Sequence, residues 1–184
     1  MKKLLASVLI FSSIYCKAQL TSTETIKSNN FAIGYNLNEF AHDFGVGVNL
    51  TSPYFVKNKL AIKVSENYQV LSYHDYSGTI MLAGYNNIKA GIVTKAPSLN
   101  KIMRVYSEGG MVLILCPKAF SDKTLRFGGY GILGFEFFKN TEKDNFSYFI
   151  ELGAMGAAAV ANKLPGAPIY ANGFMTSVGF RVYL

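Results

Sequence analysis

The sequence predicts an all-β protein, an eight-stranded antiparallel up-and-down transmembrane β-barrel. Three observations lead there. Apolar and non-apolar residues alternate over runs of ten or more positions, and eight such runs follow one another, an even number that lets antiparallel strands close. No apolar stretch after the first one approaches the ~20 residues a membrane helix needs. The 184 residues include 17 Gly, 14 Phe and 12 Tyr but no Trp, a composition suited to closely packed strands.

Residues 1–18 read as a cleaved signal peptide. Lys2 and Lys3 give a positive start, residues 4–15 an apolar run, and Cys16-Lys17-Ala18 the cleavage positions before Gln19. That run is too short to span a bilayer. Lipoprotein processing at Cys16 fits less well, because bulky Tyr15 occupies a position that wants a small residue. The barrel domain is then 19–184. Removing three lysines changes the balance from 18 − 11 = +7 to 15 − 11 = +4. So mild and scattered a charge argues against nucleic acid as a partner. Only Cys116 of the 2 cysteines survives cleavage, so no internal disulfide, metal site or cofactor is expected. Within "MVLILC", Cys116 reads as a small apolar filler.

The predicted strands are 31–40, 44–55, 60–72, 79–94, 102–116, 125–138, 146–160 and 173–184. Between them lie "AHD", "VKNK", "YHDYSG", "KAPSLNK", "PKAFSDKT", "KNTEKDN" and "NKLPGAPIYAN", rich in turn formers. The second run sets Phe44, Val46, Val48 and Leu50 against Gly45, Gly47, Asn49 and Thr51. The sixth sets Leu125, Phe127, Leu133, Phe135 and Phe137 against Arg126, Gly128, Tyr130, Gly134 and Glu136. The alanines of "ELGAMGAAAVANKL" also suit a helix, but Gly153, Gly156 and the regular series favour a strand. Many runs reach the ~9–11 residues that cross a bilayer obliquely. Their non-apolar face holds Gly, Ala, Ser, Asn and Tyr rather than a soluble sheet's Lys and Glu. Phe31, Phe44, Tyr54, Phe137, Phe138, Phe146, Tyr148 and Tyr183 stand near strand ends, where two membrane interfaces want aromatics.

With its signal, eight alternating runs and C-terminal "VGFRVYL", the chain resembles the small eight-stranded outer-membrane barrels, the OmpA/OmpX-like class. Its "KAQ" junction and aromatic-rich last strand are similar to Bacteroidetes-type barrels. The resemblance implies a Gram-negative outer membrane, contact with its lipid including lipopolysaccharide, and handling by the barrel-assembly machinery. It also implies that the last strand, with Phe180, Val182 and Leu184 outward, doubles as the assembly signal, although Leu184 departs from the usual terminal Phe.

If the apolar face meets lipid, Lys63, Lys89, Arg104, Glu108, Arg126, Glu136, Glu151 and Arg181 point inward. Glu66 alone falls on the wrong face, which suggests a bulge or a rim position. Counting from the turns pairs Arg104 with Glu136, Lys89 with Glu108, and Glu151 with Arg181 as a lower plug, which can also be a gate. Met81, Val112, Ile114, Tyr130, Met155 and Met175 are expected to line an apolar upper lumen, a packed core or a slot for one acyl chain. His42-Asp43 and His74-Asp75 are the only catalytic candidates. Neighbouring residues on a strand point opposite ways, and Ser77 lacks a nucleophile motif. Ala154, Gly156 and Ala158 form a shallow outer strip that can dock another membrane protein. The function expected is non-enzymatic, a structural or accessory subunit of an envelope complex; a lipid-modifying barrel and a small pore are the alternatives. Mass spectrometry of the exported protein should find Gln19 as the first residue, and an intact Met1 would refute the signal peptide.

Overall fold

A computed structural model describes residues 30–40, 43–96, 102–139 and 145–184. The predicted signal peptide and His42 lie outside them. The strands are β1 (Ala32–Phe40), β2 (Asp43–Thr51), β3 (Leu60–His74), β4 (Ile80–Lys95), β5 (Met103–Leu115), β6 (Leu125–Phe138), β7 (Phe146–Val160) and β8 (Ile169–Tyr183). They pair in chain order and close β8 onto β1. The closing seam runs from Ala32 opposite Tyr183 to Phe40 opposite Met175, and Leu184 N–H adds a bond to the Phe31 carbonyl at 2.8 Å. Every strand is antiparallel to both neighbours, so closure leaves no sheet edge along the shared wall.

Two strand ends differ from the sequence reading by four residues, and the others agree within two. β2 stops at Thr51 instead of 55, because Pro53 has no N–H to donate and Val56, Lys57 and Asn58 turn the chain with positive φ. β8 begins at Ile169 instead of 173. Its first residues pair with β7 across an irregularity between Gly156 and Ala159. Ala158, Ala171 and Gly173 have positive φ there, and Tyr170 and Ala171 are both buried, two adjacent side chains inward as a bulge produces. The β3–β4 hairpin overshoots its neighbours. β4 pairs with β5 only as far as Asn86, yet with β3 up to Ile80.

Alternation decides which side chains enter the barrel. Phe44, Val46, Val48 and Leu50 are each about half exposed on the outer wall, whereas Asp43, Asn49 and Thr51 are buried. The interior is also divided lengthwise. Asn36, Asn38, Asn49, Asn67, Gln69 and Asn87 come from β1–β4, while Val112, Ile114, Tyr130, Ile132, Met155, Ala157 and Met175 come from β5–β8. A mainly apolar upper lumen was expected; Asn38, Gln69 and Asp43 make its β1–β3 wall polar.

Inward glycines make room for large neighbours. A Cβ on Gly134 would come within 2.2 Å of the Tyr106 ring, and that ring is fully buried. Gly131, on the outer face of the same strand, would meet nothing. Gly134→Val should therefore lower the unfolding temperature of the purified barrel by several degrees, about the effect of 1–3 kcal/mol of overpacking. Gly131→Val should leave it unchanged, and equal effects would contradict the assigned faces.

Candidate functional site

Six charged side chains form a continuous chain of ion pairs inside the half of the barrel that holds the β2–β3 turn. Arg104, inward on β5, donates Nε–H to Glu136 on β6 at 3.0 Å, and its Nη2 contacts both Glu136 and the Tyr183 hydroxyl. Glu136 also accepts from Ser147 Oγ and Tyr183 Oη, each at 2.5 Å, and faces Arg181 Nη1 at 3.1 Å. Arg181 Nη2 lies 3.8 Å from Glu151. Glu151 accepts from Lys63 Nζ and Tyr106 Oη, both at 2.6 Å. Lys63 reaches Glu108 at 2.8 Å, and Glu108 accepts from Tyr130 Oη, also at 2.8 Å.

Aromatic rings complete the packing around the cations. The Arg104 guanidinium lies 5.4, 5.2 and 5.6 Å from the ring centres of Tyr54, Phe138 and Tyr183. Arg181 sits 4.8 Å from the Phe149 ring. Such contacts favour a desolvated cation. Tyr54, Phe138 and Tyr183, expected at a membrane interface, are buried because they wall in Arg104. Phe31, Phe44, Phe137, Phe146 and Tyr148 are exposed on the outside.

Two of the three pairs read from the sequence meet here, Arg104 with Glu136 and Glu151 with Arg181. Lys89 and Glu108 do not. Strand stagger places Val93, not Lys89, opposite Glu108, and Lys89 opposite Val112. Lys63 takes Glu108 instead. Arg126 stands apart, opposite Ile114 towards the other end. Glu66 does face outward, but the pairing through it is unbroken from Val48 on β2 to Ile88 on β4. Neither a bulge nor a rim position explains it.

At the other end, Val112, Ile114, Tyr130, Met155 and Met175 share one cluster with Leu71, Tyr85, Phe120 and Tyr170. Met81 is not in it. On the overshooting hairpin it is 43% exposed, since β3 flanks it but β5 does not extend that far. Phe120 belongs to the β5–β6 loop, read as an outward turn, yet it packs edge-on to Tyr170 at 5.3 Å. Asp122 and Lys163 (3.2 Å) and Asp122 and Asn162 (2.6 Å) hold that loop to the β7–β8 loop. No sequence periodicity announces such a residue. The amide chain Asn49–Asn36–Asn67–Asn87 also went unread, with bonds of 3.2, 3.0 and 2.9 Å.

The catalytic candidates are not drawn together among the described residues. Asp43 points into the barrel and accepts the Tyr85 hydroxyl at 2.6 Å. Asp75 organises its own turn by accepting Ser77 Oγ at 2.6 Å and Thr79 N–H at 2.9 Å. Those bonds, the Ser77 hydroxyl first, hold its carboxyl below the usual range. The described residues contain no group of three His, Cys, Asp or Glu placed to hold a metal ion.

Removing one member of the charged chain strands the others. Glu136→Gln leaves Arg104 and Arg181 short of a buried carboxylate, at a cost of about 3–5 kcal/mol. Arg104→Met combined with Glu136→Met should cost much less than Glu136→Gln alone. Urea unfolding of the three proteins measures this, and a milder effect of Glu136→Gln would contradict the account.

No protein-family model matches the sequence, and no curated protein does either. Solved structures do match its fold. The N-terminal β-barrel domain of Pseudomonas aeruginosa OprF is similar with a TM-score of 0.57 and 14% identity, over 85% of this chain and 98% of that one. The Yersinia pestis outer-membrane protein Ail, in a phospholipid bilayer nanodisc, gives 0.54 and 9% over 85% and 99%. With its closed, all-antiparallel sheet, the chain has the fold of the small eight-stranded outer-membrane β-barrels.

Proposed function

We propose that the protein is a non-enzymatic barrel of the Gram-negative outer membrane whose lumen is shut and whose outer wall docks it, as an accessory subunit, into a larger envelope complex. One observation carries this reading. The outward residues Gly109, Gly131 and Ala154 lie side by side on β5, β6 and β7, with Gly129 and Gly156 in the next row. A Cβ added at Gly131 would meet nothing, and at Gly109 or Gly129 only a carbonyl 3.7 Å away. The barrel's own packing therefore does not require glycine there. Together with exposed Ala158 they make a shallow patch that lets another membrane protein approach closely. Glu66 adds to the case, because a carboxylate on an apolar wall gains more from a polar protein partner than from lipid.

The outer wall offers a second place for an acyl chain, besides the upper lumen. A groove of about 700 Å³ is bordered by Tyr35, Leu37, Val46, Tyr148, Ile150 and Phe180. Its size suits a lipid tail, but every outer-membrane barrel wall meets such tails, so the groove gives no specific function. On the accessory reading, His74→Ala leaves the composition of the outer-membrane lipid unchanged.

Extraction of native membranes in mild detergent tests the proposal. The wild-type barrel should migrate in a particle well above one barrel and its micelle. Gly131→Leu with Ala154→Leu should release a folded single barrel. A wild-type protein that already runs as a single barrel would overturn the accessory role.

A further inference from the structure

We propose that the lumen binds one small monovalent anion, of halide size, at Lys89. The described lower lumen holds four buried cations, Lys63, Lys89, Arg104 and Arg181, against three buried carboxylates, Glu108, Glu136 and Glu151. All three carboxylates are engaged by the other cations: Glu136 by Arg104 and Arg181, Glu151 by Lys63 and Arg181, and Glu108 by Lys63. Lys89 makes none of these pairs. Its ammonium lies 5.6 Å from the centre of the Tyr130 ring, whose hydroxyl is already given to Glu108. An exchange in which Lys89 took Glu108 from Lys63 would leave Lys63 on Glu151 and the lower lumen still one positive charge in excess.

The neighbours of Lys89 have the chemistry to share an anion with it. Ser65 is its direct cross-strand partner on β3, and Asn87 stands two residues along the same face of β4. The Ser65 hydroxyl and Asn87 Nδ2 are buried with no partner. Ammonium, hydroxyl and amide N–H are the donors that coordinate a halide in place of its water shell. Asn49 Oδ1, also unpartnered, is opposite Ser65. It can accept one N–H but carries no charge to balance the ammonium. A surplus of one positive charge calls for a monovalent ion, and a lumen of eight strands has room for only a small one.

Unfolding temperatures of the purified full-length barrel, with chloride exchanged for gluconate at constant ionic strength, test the site. Crystals of the barrel refolded and grown in bromide locate it by anomalous scattering. Chloride should raise the unfolding temperature by about 2 °C or more, and bromide should appear within about 4 Å of Lys89 Nζ. Lys89→Met should abolish both effects, and Ser65→Ala, which keeps the charge, should raise the chloride concentration needed. Should Lys89→Met not fold, Lys89→Gln serves for the same comparison. A lumen without bromide at Lys89, or a chloride effect that survives loss of the ammonium, overturns the proposal.

Discussion

The bonds of Glu136 to Arg104 and Arg181 show the constraint on which the rest of the interior depends. Eight strands enclose a space only as wide as the side chains that fill it. A charge pointing into that space loses its water and must find a partner on another strand. Glu136 is served by two arginines, a serine and a tyrosine, so its charge is spread over contacts from β5, β7 and β8. Ion pairs of this kind add modest net stability compared with a well-packed apolar core. They penalise wrong pairing heavily, because a slipped register strands a buried charge.

The same narrowness accounts for the glycines, but only for those on the inner face. Gly134 under Tyr106 and Gly45 under Gln69 exist because their large neighbours need the volume. Outward Gly109, Gly129 and Gly131 have no such neighbour. Glycine weakens a strand interior, so its recurrence at three neighbouring positions of the outer wall on β5 and β6 is a cost that the barrel alone does not justify. Within one sheet, then, inward glycines serve the barrel's own packing, whereas outward ones suit close approach by a partner.

Period-two alternation made the fold and the inward set of charges readable, because lipid-facing positions tolerate few charges and each strand exposes alternate residues. Heights along the barrel were less readable. Counting from turns ignores shear, and so it matches Lys89 to Glu108, whereas stagger gives that carboxylate to Lys63. Aromatic residues near strand ends carry an ambiguous signal, since a ring can sit at an interface, as Tyr148 can, or enclose a cation, as Tyr54 does. Phe120 lies in a loop without periodicity, and only the clasp between two loops sends it inward. Gly131 was hidden for a different reason: glycine looks alike on both faces until the room for a Cβ is known.

On the proposed function, side chains shut this lumen, with the ion-pair chain at one end and the Phe120–Tyr170 cluster at the other. Conductance across a planar bilayer containing the purified barrel tests it most directly. A closed lumen gives a silent membrane under moderate voltage at neutral pH. Regular stepwise openings by the wild-type protein would contradict it.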